Sequence, residues 1–180
     1  MASSTELETA TLGGGCFWCL EAVFDQMRGV ASVESGYMGG SVDDPSYRDV
    51  CDGGTGHAEV VQLRFDPAVV PFAEILEVFF HIHDPTTLNR QGNDEGTQYR
   101  SVIFVHTPEQ ERVARQAIAA LAGEIRDPVV TEVTAASRFW VAEDYHQEYF
   151  ARNPNAGYCQ FVVAPKVTKF RKQFAAKMKS

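Results

Sequence analysis

Cys16 follows three consecutive glycines, Gly13-Gly14-Gly15, and opens a segment in which Phe17, Leu20, Val23, Phe24 and Met27 recur at helical spacing. A cysteine placed there can act as a nucleophile. Glycines let a ligand approach the backbone closely, and the free N–H groups of a helix start favour a thiolate. A structural cysteine instead sits mid-element among apolar neighbours. Cys19 completes Cys16-Phe17-Trp18-Cys19, a Cys-x-x-Cys like that of thioredoxin-type redox sites. One helical turn separates the two side chains, which allows a bridge; the alternative is a small residue packed under the helix. Cys159 ends Asn153-Pro154-Asn155-Ala156-Gly157-Tyr158-Cys159, a stretch whose proline and glycine predict a mobile thiol suited to disulfide exchange. Cys51 reads as a packing residue.

A carboxyl set into an apolar pattern is the second chemical signal. In the strand read over residues 57–65, alternation puts Glu59 on one face with Val61, Leu63 and Phe65. Held there it is desolvated, keeps its proton near neutral pH and can donate it. The plainer reading is a strand end already in water. Gly92-Asn93-Asp94-Glu95-Gly96-Thr97-Gln98-Tyr99 is polar and turn-rich ahead of an apolar strand, a common place for binding groups, so Asp94 and Tyr99 are candidates to orient a ligand. Most such runs are merely turns. No His-x-x-x-His pattern occurs, His81 and His83 point to different sides of a helix end, and the cysteines lack the paired spacing of structural zinc. No metal and no other cofactor are expected.

These residues need elements to hold them. Strands are read over 7–12, 30–38, 57–65, 99–106 and 129–133, and helices over 17–27 (closed by Gly29), 71–83, 108–123 and 144–152. Residues 39–56 form a long polar, Gly-rich loop containing Tyr47 and Cys51, and loops of that length tend to be functional. The order β-α-β-β-α-β predicts an α+β, two-layer ferredoxin-like sandwich with an added helix, strand and C-terminal tail. In the last fifteen residues Val167, Phe170, Phe174 and Met178 recur at helical spacing among six basic residues with no acid, which predicts an amphipathic helix docked on the body. A polyanion site is the lesser alternative.

With 180 residues and no compositional break, one catalytic domain is expected over 1–180, its core about 7–152 and its tail 153–180. Apolar residues make up 44% and charged residues 22%, ordinary for a chain that folds unaided. A net charge of -8 argues against nucleic acid and anionic lipid as partners. Residues 1–6 lack the basic and apolar regions of an export signal, and no run approaches the ~20 apolar residues of a membrane span. A cytoplasmic monomer is expected.

Gly15-Cys16-Phe17-Trp18 resembles the nucleophile motif of the A-class peptide methionine sulfoxide reductases. Five further blocks follow in the family's order and at similar spacing: Gly36-Tyr37-Met38-Gly39-Gly40, Tyr47-Arg48-Asp49-Val50-Cys51, Gly56-His57-Ala58-Glu59, Gln91-Gly92-Asn93-Asp94 and Gly96-Thr97-Gln98-Tyr99-Arg100-Ser101. The resemblance implies that Cys16 attacks the sulfoxide sulfur of the S epimer, free or in proteins, while Glu59 protonates its oxygen, leaving methionine and a sulfenic acid. It places Tyr47, Asp94 and Tyr99 around that oxygen and assigns the rings of Phe17 and Trp18 to the methyl group. It also implies recycling through a Cys16–Cys159 disulfide, with Cys19 as alternative or relay, and recharging by thioredoxin. Two departures bear on recycling: Cys19 stands where many members have glycine, and no cysteine follows Cys159. A general thiol–disulfide oxidoreductase and a zinc-binding interaction module are the rival readings.

Overall fold

The computed structural model describes residues 6–179; the reading of an absent export signal therefore rests largely on residues outside those described. Strands β1 (Glu8–Gly13), β2 (Val30–Met38) and β3 (Ala58–Phe65) alternate with helices α1 (Phe17–Phe24), α2 (Tyr47–Cys51) and α3 (Phe72–Ile82). A short hairpin, β4 (Arg90–Gln91) and β5 (Asp94–Glu95), precedes β6 (Val102–Val105), α4 (Pro108–Ala122), β7 (Glu132–Ala135) and β8 (Trp140–Val141). Helices α5 (Tyr149–Arg152) and α6 (Ala164–Gln173) complete the chain.

The main sheet runs β7-β6-β1-β3-β2-β8. β3 lies antiparallel between β1 and β2, and β6 is antiparallel on the other side of β1, which is the expected split arrangement. β7 adds in parallel to β6, and β8 antiparallel to β2. Period-two alternation sorts β3: Val61, Leu63 and Phe65 join the large core with α1, α3 and α6, while Ala58 and Val60 face a smaller cluster with Met38, Val102 and Phe104. Ala136 and Phe139 cover that second face. The docked tail is as expected, with Val167, Phe170 and Phe174 buried.

Several boundaries differ from the sequence reading. The fifth strand starts at Glu132 because its ladder begins opposite Val102 on β6; Val130 instead donates its N–H to the Pro85 carbonyl at 2.8 Å. α1 stops at Phe24, after which Gln26 and Met27 make tighter i to i+3 bonds and Gly29 turns the chain at φ +93°. The loop over 39–56 holds α2, nucleated by a capping box between Ser46 and Asp49. The single helix expected over 144–152 is broken at residues 147–148. Gln147 bonds both the N–H and carbonyl of Ser35, and Glu148 is left-handed at φ +54° with its N–H on Glu21. Tertiary bonds there override helix propensity.

Candidate active site

β1 delivers its chain end to the start of α1 through the three glycines. Gly15 has φ +90°, and a Cβ on it would come within 2.9 Å of Gln91, so both the turn and the approach of β4 require glycine. Cys16 is the N-cap of α1 in an extended conformation, 7% exposed, at one end of a cleft of about 980 Å³. The helix start alone does not make it a thiolate. Burial pushes the thiol well up, with Cys19 and the charge of Glu59 adding, and the Trp18 N–H offsets only part of this.

Glu59 is 1% exposed, so the face reading holds over the solvated strand end. Its Oε1 accepts the N–H of Phe17, the residue after Cys16, at 3.2 Å. Its Oε2 is buried without a partner. Burial raises the carboxyl to about 8, the Phe17 N–H opposing, so it is protonated at neutral pH. Tyr47 and Tyr99 stand close enough to feel Glu59; burial first, then that charge, raises both hydroxyls, leaving them donors. Asp94 is brought near by the β4–β5 hairpin, but its Oδ2 is occupied by the Tyr158 hydroxyl at 2.6 Å.

Phe17 is fully buried, with ring centroids 5.7 Å from Tyr37, 6.3 Å from Tyr47 and 5.1 Å from His146. Trp18 stacks on Tyr149 at 3.7 Å and donates its Nε1–H to His146 Nδ1 at 3.0 Å. Glu143 accepts from the Tyr37 hydroxyl and the Tyr47 N–H, both at 2.9 Å, tying β2 to α2. Sequence reasoning missed Tyr37, Glu143, His146, Tyr149 and Tyr158 as parts of the site. For all but Tyr37 the signal was the dense polar and aromatic run over residues 143–149 and the tyrosine next to Cys159.

A buried carboxyl, the Cys16 thiol and an aromatic wall stand together here. Residues 8–178 match the model of the family described as peptide methionine sulfoxide reductase. The chain belongs to that family. The peptide methionine sulfoxide reductase MsrA 1 of Rhodopirellula baltica is 58% identical over 172 residues, covering 96% of this chain and 90% of the relative. Reduced Mxr1 from Saccharomyces cerevisiae is similar with a TM-score of 0.80 at 32% identity, covering 88% of this chain and 92% of that one. Mxr1 in complex with Trx2 is a likeness of fold, at TM-score 0.57 and 21% identity over 83% and 88% of the two chains. Reduction of methionine sulfoxide is the family's activity, and this member is an enzyme of that kind.

The reductase's other thiols differ in burial and setting. Cys19 donates its N–H to the Cys16 carbonyl at 3.1 Å and is buried. Cys159 has no exposed surface and opens a π-helical turn (Cys159–Val163), its approach fixed by Ala156 N–H to Asn153 and Gln160 N–H to Ala156. The mobile segment expected there is thus folded, because Cys159 packs into the main core. Cys51, expected to pack, is exposed. Among the described residues no cluster of three or more His, Cys, Asp or Glu could hold a metal. His83 is instead a core histidine between the Phe79 carbonyl and the Ser101 hydroxyl. Among the described residues no helix is long and apolar enough to cross a membrane.

Proposed function

We propose that the chain, as one catalytic domain, reduces the S epimer of methionine sulfoxide, with Cys16 as nucleophile and Glu59 as general acid. The observation that carries this reading is the Glu59 carboxyl, buried, neutral at pH 7, anchored by one oxygen to the residue after Cys16 and unpartnered at the other. A buried, neutral acid with one unpartnered oxygen is a donor awaiting an acceptor. The sulfoxide oxygen gains negative charge as its bond to sulfur breaks, so Glu59, Tyr47 and Tyr99 stabilise the transition state more than the bound substrate. The protein's resting thiol suits this order: proton donation to oxygen makes the sulfur electrophilic, and Cys16 gives up its proton as it attacks. Phe17 and Trp18, the latter oriented by His146 and Tyr149, supply the apolar wall for the methyl group. Asp94 acts with Tyr158 at the edge of the same site.

The reaction balances as sulfoxide plus Cys16 thiol giving thioether plus Cys16 sulfenic acid; substrate sulfur gains two electrons and Cys16 loses two. An internal disulfide then forms with loss of water, and an external dithiol restores the thiols. Thioredoxin is that dithiol in our reading, supported by the yeast relative's complex with Trx2. Four free cysteines suit a reducing cytoplasm, and a monomer suffices for the chemistry. The test is Glu59→Gln in a single turnover: methionine formation should slow by roughly 10²- to 10⁴-fold, and an unchanged rate removes Glu59 from the acid role.

A further inference from the structure

The cleft of about 980 Å³ that Cys16 lines is far larger than one methionine side chain needs. One of its walls is helical. The turn over Cys159–Val163 runs directly into α6, and the combined segment has two faces. Cys159, Val163, Val167 and Phe170 are buried in the core, whereas Tyr158, Phe161, Val162, Pro165, Lys166 and Lys169, spaced by the same helical period, line the cleft. Phe80 and Ile82 of α3, with Leu121 and Ile125 around the end of α4, add apolar lining. Phe161 is 81% exposed, and among the described residues no large apolar side chain is more so. Lys166 is half-buried and Lys169 exposed, and neither has an ion-pair partner among the described residues. Of the acids along the cleft, Asp84 already accepts from Thr86 and Asp94 from Tyr158, while Asp127 follows Arg126 in the chain.

We propose that this cleft binds the polypeptide on one side of the methionine sulfoxide in extended form, with an apolar residue on Phe161 and acidic residues on Lys166 and Lys169. The inference rests on the reading of Cys16 as nucleophile and adds a substrate class to it: sulfoxide-bearing segments that are extended, apolar and acidic. Because Cys16 is only 7% exposed, residues flanking the sulfoxide are drawn into the cleft with it. Lys166 and Lys169 stand eight and eleven positions after Tyr158, on the order of 12 and 16 Å along a helix, which an extended chain covers in roughly four and five residues. The preferred acids therefore lie about four or five residues from the sulfoxide.

Charge gives the preference its direction. The whole chain carries -8, so an acidic segment is repelled by most of its surface. The last fifteen residues hold six Lys and Arg and no acid, which makes the C-terminal helix the place where such a segment is attracted. A carboxylate arriving at Lys166 and Lys169 displaces no existing ion pair, whereas a basic segment meets like charge at the same points. Phe161 adds apolar area at the rim that a bound side chain removes from water. Free methionine sulfoxide makes none of these contacts, so the cleft discriminates among peptides without altering the sulfur chemistry.

The experiment compares kcat/KM, with dithiothreitol as reductant, for N-acetylmethionine sulfoxide and for synthetic peptides with one central methionine sulfoxide. The peptides carry either two Glu or two Lys at the fourth and fifth positions, before or after the sulfoxide. In one of these two orientations the Glu peptide should exceed the Lys peptide roughly tenfold at low salt, and the difference should shrink in about 0.5 M salt. Lys169→Glu should narrow that difference about fivefold, and Phe161→Ser should lower kcat/KM for the peptides about fivefold through KM. Both side chains are exposed, so turnover of N-acetylmethionine sulfoxide should be unchanged. Equal kcat/KM for Glu and Lys peptides in both orientations, or equal losses on N-acetylmethionine sulfoxide, would overturn the proposal. Variants that reduce every peptide normally but need more thioredoxin would overturn it too, making the cleft a docking face for the reductant. An unaltered protein inactive on N-acetylmethionine sulfoxide would instead overturn the underlying reading of the site.

Discussion

The two sides of Cys16 are built differently. The side that holds Glu59, Phe17 and Tyr47 is fixed from β2, β3, α1, α2 and residues 143–148 at once, by Glu143 on Tyr37 and Tyr47, by Phe17 on Glu59, and by Glu21 on Ser35 and Glu148. The side that holds Cys19, Tyr158, Cys159 and Lys166 draws all but the first of these from a single stretch, 158–166, wrapped against α1. Transition-state stabilisation requires donors that do not reorganise, and the sheet with its clips supplies that. Disulfide exchange requires sulfurs that change partners, and here these groups lie close together along one local segment. In the function proposed here, chemistry and recycling share Cys16 and little else.

The sharpest break of this contrast is Cys16→Ser, which removes the one shared atom and should abolish methionine formation while the protein folds. Any turnover by that variant, measured as methionine released, would show that another thiol carries the reaction. Next in size is the pH response of the substrate side. With Glu59 held near 8, its acid form is lost as pH rises past that value, so the single-turnover rate should fall by about tenfold per unit at higher pH. Glu59→Gln should lack the fall, and a wild-type profile rising through pH 9 would contradict the acid role. Trp18→Ala strips the ring stacked on Tyr149 and should raise KM about tenfold with a smaller change in kcat, read in steady-state kinetics.

The smallest effect is on stability. Burial raises Glu21 to about 7 from an ordinary 4.5, the Glu148 N–H opposing. The folded state therefore binds this proton more tightly than the unfolded state does. Its contribution is complete below about pH 4.5 and is lost as pH rises to about 7, by about 3 kcal/mol at most. Denaturant unfolding across that window should show less pH dependence in Glu21→Gln than in the unaltered protein, and equal slopes would mean Glu21 does not stay protonated in the fold.

The central strands and first helices were legible because each is a period of two or 3.6 bounded by Gly or Pro; β3 even yielded the buried carboxyl, since one acid broke its apolar face. What escaped was set by tertiary contact. β8 is two residues recruited by the edge of β2, and α2 depends on a cap three residues from its partner inside a run that reads as loop. Residues 147–148 leave the helix because Ser35 and Glu21, more than a hundred positions away, claim their polar groups. Cys16 and Glu59 stood out by type and spacing and Phe17 and Trp18 through the family resemblance, whereas Glu143 and His146, which hold their neighbours, showed only as a dense polar and aromatic run. The stretch before Cys159 was read as mobile because proline and glycine mark a turn, and in the fold that turn delivers its next residue into the core.

The most direct test of the account uses fully reduced protein, no added reductant, and one equivalent of either sulfoxide epimer of N-acetylmethionine. The S epimer should be converted completely, one thioether per chain, and the protein should lose about two mass units as its internal disulfide closes. The R epimer should survive. Absence of thioether from the S epimer, or equal conversion of both, would contradict the assignment of Cys16 and Glu59 to a stereospecific sulfoxide reductase.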